Sequence, residues 1–251
     1  MKLGRYIALL ILILVWQCLS YLEFIPKYKL PSPIDVLVGF RDLLILGIPP
    51  GYLLHNHLIY SLYRITFGYL VAVFLAIPLG IFMGWSERFR KIANPMIEIL
   101  RPIPPLAWIP ISILWFGIGI KSASFIIFLG AFFPIVLNTI SGVLSIDRIL
   151  IEASLTLNAR GRDLLLKVLV PGAVPSMFVG MRIGIGVAWM TLVAAEFTGV
   201  KSGYGLGYMI MTARDIQRTD QILAGMITIG LVGFFINEGF RLIESRVLRW
   251  R

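Results

Sequence analysis

Apolar residues in this chain run in long blocks separated by shorter polar, basic segments. A helix needs about 20 apolar residues to cross the hydrocarbon core of a bilayer. Six windows of about that length can be drawn, at about 6–21, 59–85, 103–120, 124–144, 174–197 and 222–243. The third is the weakest, because Pro102, Pro104, Pro105 and Pro110 crowd its start. Such a segment holds in lipid only where neighbours satisfy the freed carbonyls. The pattern predicts an all-α integral membrane protein with six transmembrane helices and one domain over residues 1–251. No internal repeat or low-complexity tract divides it.

The longest segment outside the windows, about 23–58, opens with Leu30-Pro31-Ser32-Pro33 as an extended turn. Ser32 or Asp35 is placed to cap a short helix ending near Gly47. A second long segment outside the windows, Gly199 to Gly207, is rich in glycine and suits a turn, a re-entrant piece or a plain loop.

Composition narrows the class. Hydrophobic residues make up 58% of the 251 and charged residues 14%, against about 25% charged in soluble domains. The mean hydropathy is +0.88. A soluble fold could not hide that much apolar surface, so secreted factors, cytosolic enzymes and nucleic-acid readers are excluded. The single cysteine, Cys18, can form no intrachain disulfide or cysteine metal site. His55 and His57 stand two apart with no further imidazole or thiol, so interfacial positions are expected of them and no metal site.

The charges orient the spans. With the N-terminus in the cytoplasm, the inner segments carry Lys2, Arg5, Arg88, Arg90, Lys91, Arg101, Arg148, Arg160, Arg162, Lys167, Arg241, Arg246, Arg249 and Arg251. The outer segments carry Lys27, Lys29, Arg41, Lys121, Lys201, Arg214 and Arg218, and Arg64 and Arg182 lie within spans. That bias places both termini inside. It also accounts for most of the net charge of +10 without a nucleic-acid partner. Met1 to Ser20 has the basic start and apolar run of a signal peptide, but no small-x-small cleavage site follows, so it is expected to stay as a span.

On this topology the segment between the fourth and fifth windows is cytoplasmic and reads as helix, turn, helix. Asp147 suits an N-cap. Asn158 and Gly161 suit the left-handed turn between helices. Asp163 is expected to cap the second piece and Pro171 to stop it. Leu150, Ile151, Leu155 and Leu157 are then apolar side chains on the cytoplasmic side, which need a membrane surface or a partner's groove.

Glu152-Ala153-Ser154, Asn158 at a turn position, and Val168-Leu169-Val170-Pro171 with Pro175 resemble the signature loop of binding-protein-dependent ABC importer permeases. That loop reads Glu-Ala-Ala, three residues, Gly, then about nine residues before an aliphatic-x-Leu-Pro. Ser154 replaces an alanine and Asn158 the glycine, both mild changes, since Asn is the next-best residue for a left-handed turn.

The rest of the chain is similar to the branch that imports sulfonates, taurine, nitrate and bicarbonate. The matching stretches are Leu30-Pro31-Ser32-Pro33, Ser61-Leu62-x-Arg64 with Gly68, Arg101-Pro102-Ile103-Pro104, Ala107-Trp108-Ile109-Pro110, Trp115-Phe116-Gly117, Phe132-Phe133-Pro134 with Asn138-Thr139, and Ala188-Trp189 through Ala194-Ala195-Glu196.

The resemblance implies a type I importer permease fold with a cytoplasmic coupling helix between spans four and five, in a loop of about 145–172. It implies two permease copies, two cytoplasmic ABC ATPases, an external solute-binding protein and alternating access in the inner membrane. It assigns ATPase coupling to Asp147, Glu152, Ala153, Ser154, Asn158, Ala159, Gly161 and Pro171. It implies no catalytic residue, metal or cofactor on this chain, with ATP and Mg on the partner ATPase. Gly119-Ile120-Lys121-Ser122 resembles the end of a phosphate loop, but Leu114 stands where its first glycine is due, so the chain carries no Walker A motif.

The remaining intramembrane residues have two readings each. Arg64, Glu196 and Trp189 either line the translocation path or its gate, or Arg64 and Glu196 form a buried structural pair. Arg182 is expected to snorkel to the headgroups. Gly80-x-x-x-Gly84 and Gly180-x-x-x-Gly184 suit close helix contact but do not locate a dimer interface. Three other functions remain open. An energy-coupling-factor subunit would need two Ala-Arg-Gly triplets, and Ala159-Arg160-Gly161 is one. A channel or carrier would leave the loop pattern unexplained. A membrane enzyme would need catalytic polar residues at one depth.

Overall fold

A computed structural model describes residues 2–22, 26, 28–49, 51–197 and 204–248. The regular elements among them are helical, with one isolated antiparallel bridge between Ile48 and Tyr52. Residues 199–203 of the expected glycine-rich loop lie outside the described residues. The chain divides into two compact units, Met1–Leu62 with Lys201–Val232, and Tyr63–Val200 with Gly233–Arg251.

In the first unit, helix α1 (Lys2–Tyr21) precedes α2 (Pro33–Ile45). The Trp16 indole N–H donates to the Pro31 carbonyl at 3.0 Å, and the Ser20 hydroxyl donates to that of Leu30 at 3.2 Å. These bonds satisfy the carbonyls of a turn whose prolines cannot extend a ladder. Ser32 is the N-cap of α2: its hydroxyl accepts from the Asp35 N–H at 3.1 Å while the Asp35 carboxylate accepts from the Ser32 N–H at 2.9 Å. This is a complete capping box. Gly47, at φ +74°, ends the segment in a conformation that a Cβ would strain.

Helix α3 (Leu54–Trp85) is 32 residues long, about 48 Å at 1.5 Å per residue. It enters the second unit at Tyr63. There, α6 (Ile120–Leu144) is the most enclosed helix, with apolar residues buried on every side, as expected of a helix without a polar face. Its neighbours reach it through glycine. A Cβ at Gly80 or Gly84 of α3 would lie 2.6 Å from Thr139 or 2.5 Å from Val143. On α9 (Val170–Phe197), a Cβ at Gly180 would lie 2.7 Å from Asn138. Both glycine pairs therefore serve packing within the chain, where small residues let helices approach.

Among the described residues, four helices are long and apolar enough to cross a membrane: α3, α6, Arg162–Phe197, which contains α9, and α11 (Thr219–Val247). Three match expected spans closely, and the fifth expected span begins earlier than drawn. The third expected span, 103–120, is corrected. It is the second arm of a pair bent by 84°, formed by α4 (Glu87–Leu100) and by a 3-10 turn (Pro105–Trp108) leading into α5 (Ile109–Phe116). Prolines at 102, 104 and 105 remove the donors that would continue the helix. Gly117 at φ +74° then ends it. Counting that pair as one span gives up to five; in α1 the apolar stretch is the shorter Leu10–Tyr21. The end of the expected glycine-rich loop, Leu206-Gly207, opens a further helix, α10 (Leu206–Asp215).

Candidate functional site

The expected site residues fall into two groups, at opposite ends of α9 in the second unit. Pro171 and Glu196 lie 25 residues apart on that helix, about 38 Å.

At the first end stands α7 (Arg148–Thr156). The Asp147 carboxylate accepts from the Ile149 N–H at 2.9 Å, the expected N-cap. At the other end, the Asn158 N–H donates to the Leu155 carbonyl and the Ala159 N–H to that of Ser154, each at 3.0 Å. With Asn158 at φ +65°, this is a Schellman C-cap in which asparagine takes the place of the usual glycine. Gly161, at φ +51°, then starts α8 (Arg162–Leu164).

The helix is anchored on one side only. Ser154 is buried and its hydroxyl donates to the Leu150 carbonyl at 2.7 Å. Ile151 packs onto a cluster of Val143 of α6 with Leu169, Ala173 and Met177, so its expected exposure is corrected. The other face is open, with Ile149 74% and Leu157 84% exposed. Leu150, Glu152, Ala153 and Leu155 are exposed as well. Glu152 pairs with Arg148 at 2.9 Å, one helical turn away. A pair so open to water contributes little stability. The helix therefore presents an apolar strip with one charged pair, backed by the ends of α6 and α9 that meet at Val143 and Ala173.

Two expectations for this loop are corrected. Asp163 does not cap α8; its N-cap is Gly161, and Asp163 pairs with Lys167 at 2.9 Å. Pro171 does not stop the helix. A π-turn over Leu165–Leu169, in which the Val170 N–H bonds to the Leu165 carbonyl, carries the chain into α9. The wider turn absorbs the donor that proline lacks and the room its ring needs.

At the second end, Arg64 Nη1 of α3 donates to Glu196 Oε1 of α9 at 2.7 Å, and both side chains are fully buried. The two residues are 132 positions apart in sequence. Trp189 lies two turns earlier on α9, is also buried, and packs its indole N–H edge against Gly233 of α11, where a Cβ would lie 2.9 Å away. Sequence raised the Arg64–Glu196 pair as one of two readings, and the geometry forms it. Arg182, expected to reach toward the headgroups, pairs with Glu244 of α11 at 3.2 Å.

The first unit holds polar contacts that sequence did not single out. His57 is fully buried, against the interfacial position expected, and its Nδ1 accepts from the Gly205 N–H at 3.1 Å. The Ser61 hydroxyl accepts from the Leu206 N–H at 2.9 Å. His57 and Ser61 lie one turn apart on α3, so α3 caps the N-terminus of α10. The only available signal was that i, i+4 spacing. Arg218 bonds Asp42 at 2.7 Å and Asp220 at 2.8 Å. Hydrogen bonds to Asp220 and then Asp42 hold its pKa above the ordinary arginine value, against the smaller opposing effect of burial. Among the described residues no three His, Cys, Asp or Glu side chains gather as a metal site.

Comparison with known proteins gives the family and the fold. Residues 76–249 match the family "Binding-protein-dependent transport system inner membrane component". The chain is 39% identical to the taurine transport system permease protein TauC of Escherichia coli K12, over 97% of this chain and 88% of that one. It is 35% identical to the nitrate import permease protein NrtB of Leptolyngbya laminosa, over 96% and 86%. Its fold resembles a chain from the inward-facing MetNI methionine ABC transporter, with a TM-score of 0.62 and 21% identity, over 76% of this chain and 93% of that one. The apolar spans, the one-sided loop helix and these matches together make this chain a member of the binding-protein-dependent transport system inner-membrane component family, an ABC transporter permease.

Proposed function

We propose that the chain is the permease subunit of an ATP-driven importer for a small anion of the taurine, sulfonate or nitrate kind. The observation that carries the reading is α7. It is a short helix with both ends capped, tied by Ile151 and Ser154 to α6 and α9, with Ile149, Leu150 and Leu157 open. A strip of that kind fits a groove on a partner. The partner is a cytoplasmic ABC ATPase, which binds ATP and Mg. Asp147, Ser154, Asn158, Ala159 and Gly161 hold the helix in shape. Glu152 and Ala153 meet the ATPase, and the turn at Pro171 passes the movement into α9.

Two copies enclose the path, an external solute-binding protein delivers the anion, and both termini face the cytoplasm of the inner-membrane cell. The bent pair α4–α5 and the helix α1 bring the spans to six. Sequence charge leaves the outer side only weakly positive, so selection of the anion belongs mainly to the binding protein. The Arg64–Glu196 pair clamps α3 to α9 near the outer gate and takes no direct part in holding an anion, which the carboxylate would repel.

The test is co-purification in mild detergent. The tagged wild-type chain should recover an ATPase with a Walker A motif, and a Leu150→Asp, Leu157→Asp double variant should lose it while inserting normally. Recovery of the wild-type chain alone, under conditions that keep a control importer together, would overturn the reading. So would full ATPase recovery by the variant.

A further inference from the structure

In the second unit, α3 and α6 cross closely at Gly68, where a Cβ would lie 2.6 Å from the Ser124 carbonyl oxygen. Beside the crossing the helices leave a groove of about 370 Å³. Its walls are Phe67, Val71 and Leu75 of α3, Phe116 of α5, and Phe125 and Phe128 of α6. Phe128 also borders a second apolar groove, of about 420 Å³, that runs on along α6 to Phe133 and under α4. The two share Phe128, and their linings on α6 together run from Lys121 to Phe133, a rise of about 18 Å along the helix. One leaflet of hydrocarbon is about 15 Å deep, half of a core of about 30 Å.

The mouth differs from the walls. Lys121 stands exposed in the first turn of α6. None of the ion pairs among the described residues includes it. Trp115, 58% exposed, packs on Phe125 of the groove wall at a ring distance of 5.9 Å. Tryptophan and lysine together mark the level where hydrocarbon meets headgroups.

We propose that this groove holds one acyl chain of an anionic bilayer phospholipid, with the lipid phosphate against the Lys121 ammonium. Walls whose open surface is almost wholly apolar, with Ser124 turned to the Arg64 carbonyl, suit hydrocarbon and give little to a small anion that must be hydrogen-bonded when dehydrated. An ammonium at headgroup level attracts phosphate and prefers a headgroup with net negative charge. The groove length matches one leaflet, so chain and headgroup can be engaged together. Aromatic walls on α5 and α6 give the chain closer contact than lipid neighbours do, so this molecule outlasts the surrounding lipid when the protein is extracted.

The test is native mass spectrometry of the full chain, delipidated in detergent and titrated with dioleoylphosphatidylglycerol or, as headgroup control, dioleoylphosphatidylcholine. The wild-type chain should hold one phosphatidylglycerol in preference to phosphatidylcholine. Lys121→Glu should weaken phosphatidylglycerol about fivefold or more and phosphatidylcholine, whose headgroup has no net charge, by clearly less. Val71→Trp, which fills the groove, should remove both. Lys121 is exposed, so its variant is informative even if Val71→Trp fails to fold. Equal binding of the two lipids by the wild type, or equal retention by Lys121→Glu, would overturn the proposal. A cysteine at Leu75 in a Cys18→Ser background that joins two chains by a disulfide in native membranes would also overturn it, because a second copy would then fill the groove.

Discussion

Removing water from a guanidinium and a carboxylate costs several kcal/mol for each ion, and the Arg64–Glu196 contact at 2.7 Å has to offset that cost. Truncating one partner leaves a lone buried charge. Arg64→Met or Glu196→Leu alone should therefore cost about 3–5 kcal/mol, read as a drop in thermal midpoint in detergent. The double variant Arg64→Met, Glu196→Leu should recover most of that loss, since well-packed apolar replacements of a buried pair are often neutral. Uptake by the stable double variant then separates clamp from gate: near-normal transport is expected for a clamp. Asn158 is a second test at this scale. At φ +65°, Asn158→Gly should be neutral, while Asn158→Val should cost about 1–2 kcal/mol locally. The expected sign is ATP hydrolysis that no longer drives uptake in proteoliposomes. Both residues were legible in sequence, one as a costly intramembrane charge and one as a turn former. Whether Arg64 and Glu196 paired was decided by how α3 and α9 pack.

Helix ends at the scale of elements follow local chemistry. The capping box of α2 joins Ser32 to Asp35, and Ser32→Ala should destabilise that helix by about 1 kcal/mol. Faster amide exchange over Val36–Phe40, with exchange in α6 unchanged, is the measurement. The Schellman cap of α7 is equally local. Elements went unread where the signal is not local. The N-terminus of α10 is capped by His57 and Ser61 of α3, not by its own flanking residues, so no capping motif announced it. Pro171 reads as a stop by its missing donor, yet a π-turn carries the helix past it. The third span reads as one apolar run, yet its prolines let the chain turn by 84°. α4 itself went unread, although Phe89, Ile92, Met96 and Ile99 repeat at helical spacing.

For the whole molecule, the charge bias makes a prediction about sidedness. Single cysteines placed in a Cys18→Ser background at Arg41 and Arg148 should label from opposite sides of the membrane, the first from outside. Labelling of both from one side would invert or break the topology. Dense helix contact in the second unit sets another expectation. Gly84→Leu places side-chain atoms where a Cβ alone would be 2.5 Å from Val143, so overpacking should cost about 1–3 kcal/mol and lower the yield of folded protein.

Sequence by itself determined membrane residence, the four long spans, the one-sided loop helix and its caps, because apolar run length, capping groups and left-handed turn residues act within a few positions of chain. Tertiary structure chose between the two readings of Arg64 and Glu196 by pairing them, and it alone decided the pairing of Arg182 with Glu244, the burial of His57, the bend between α4 and α5, and the groove beside Gly68. Each depends on which helix faces which, and in lipid that choice rests on close packing at small residues, a contact that the pattern along one helix does not specify.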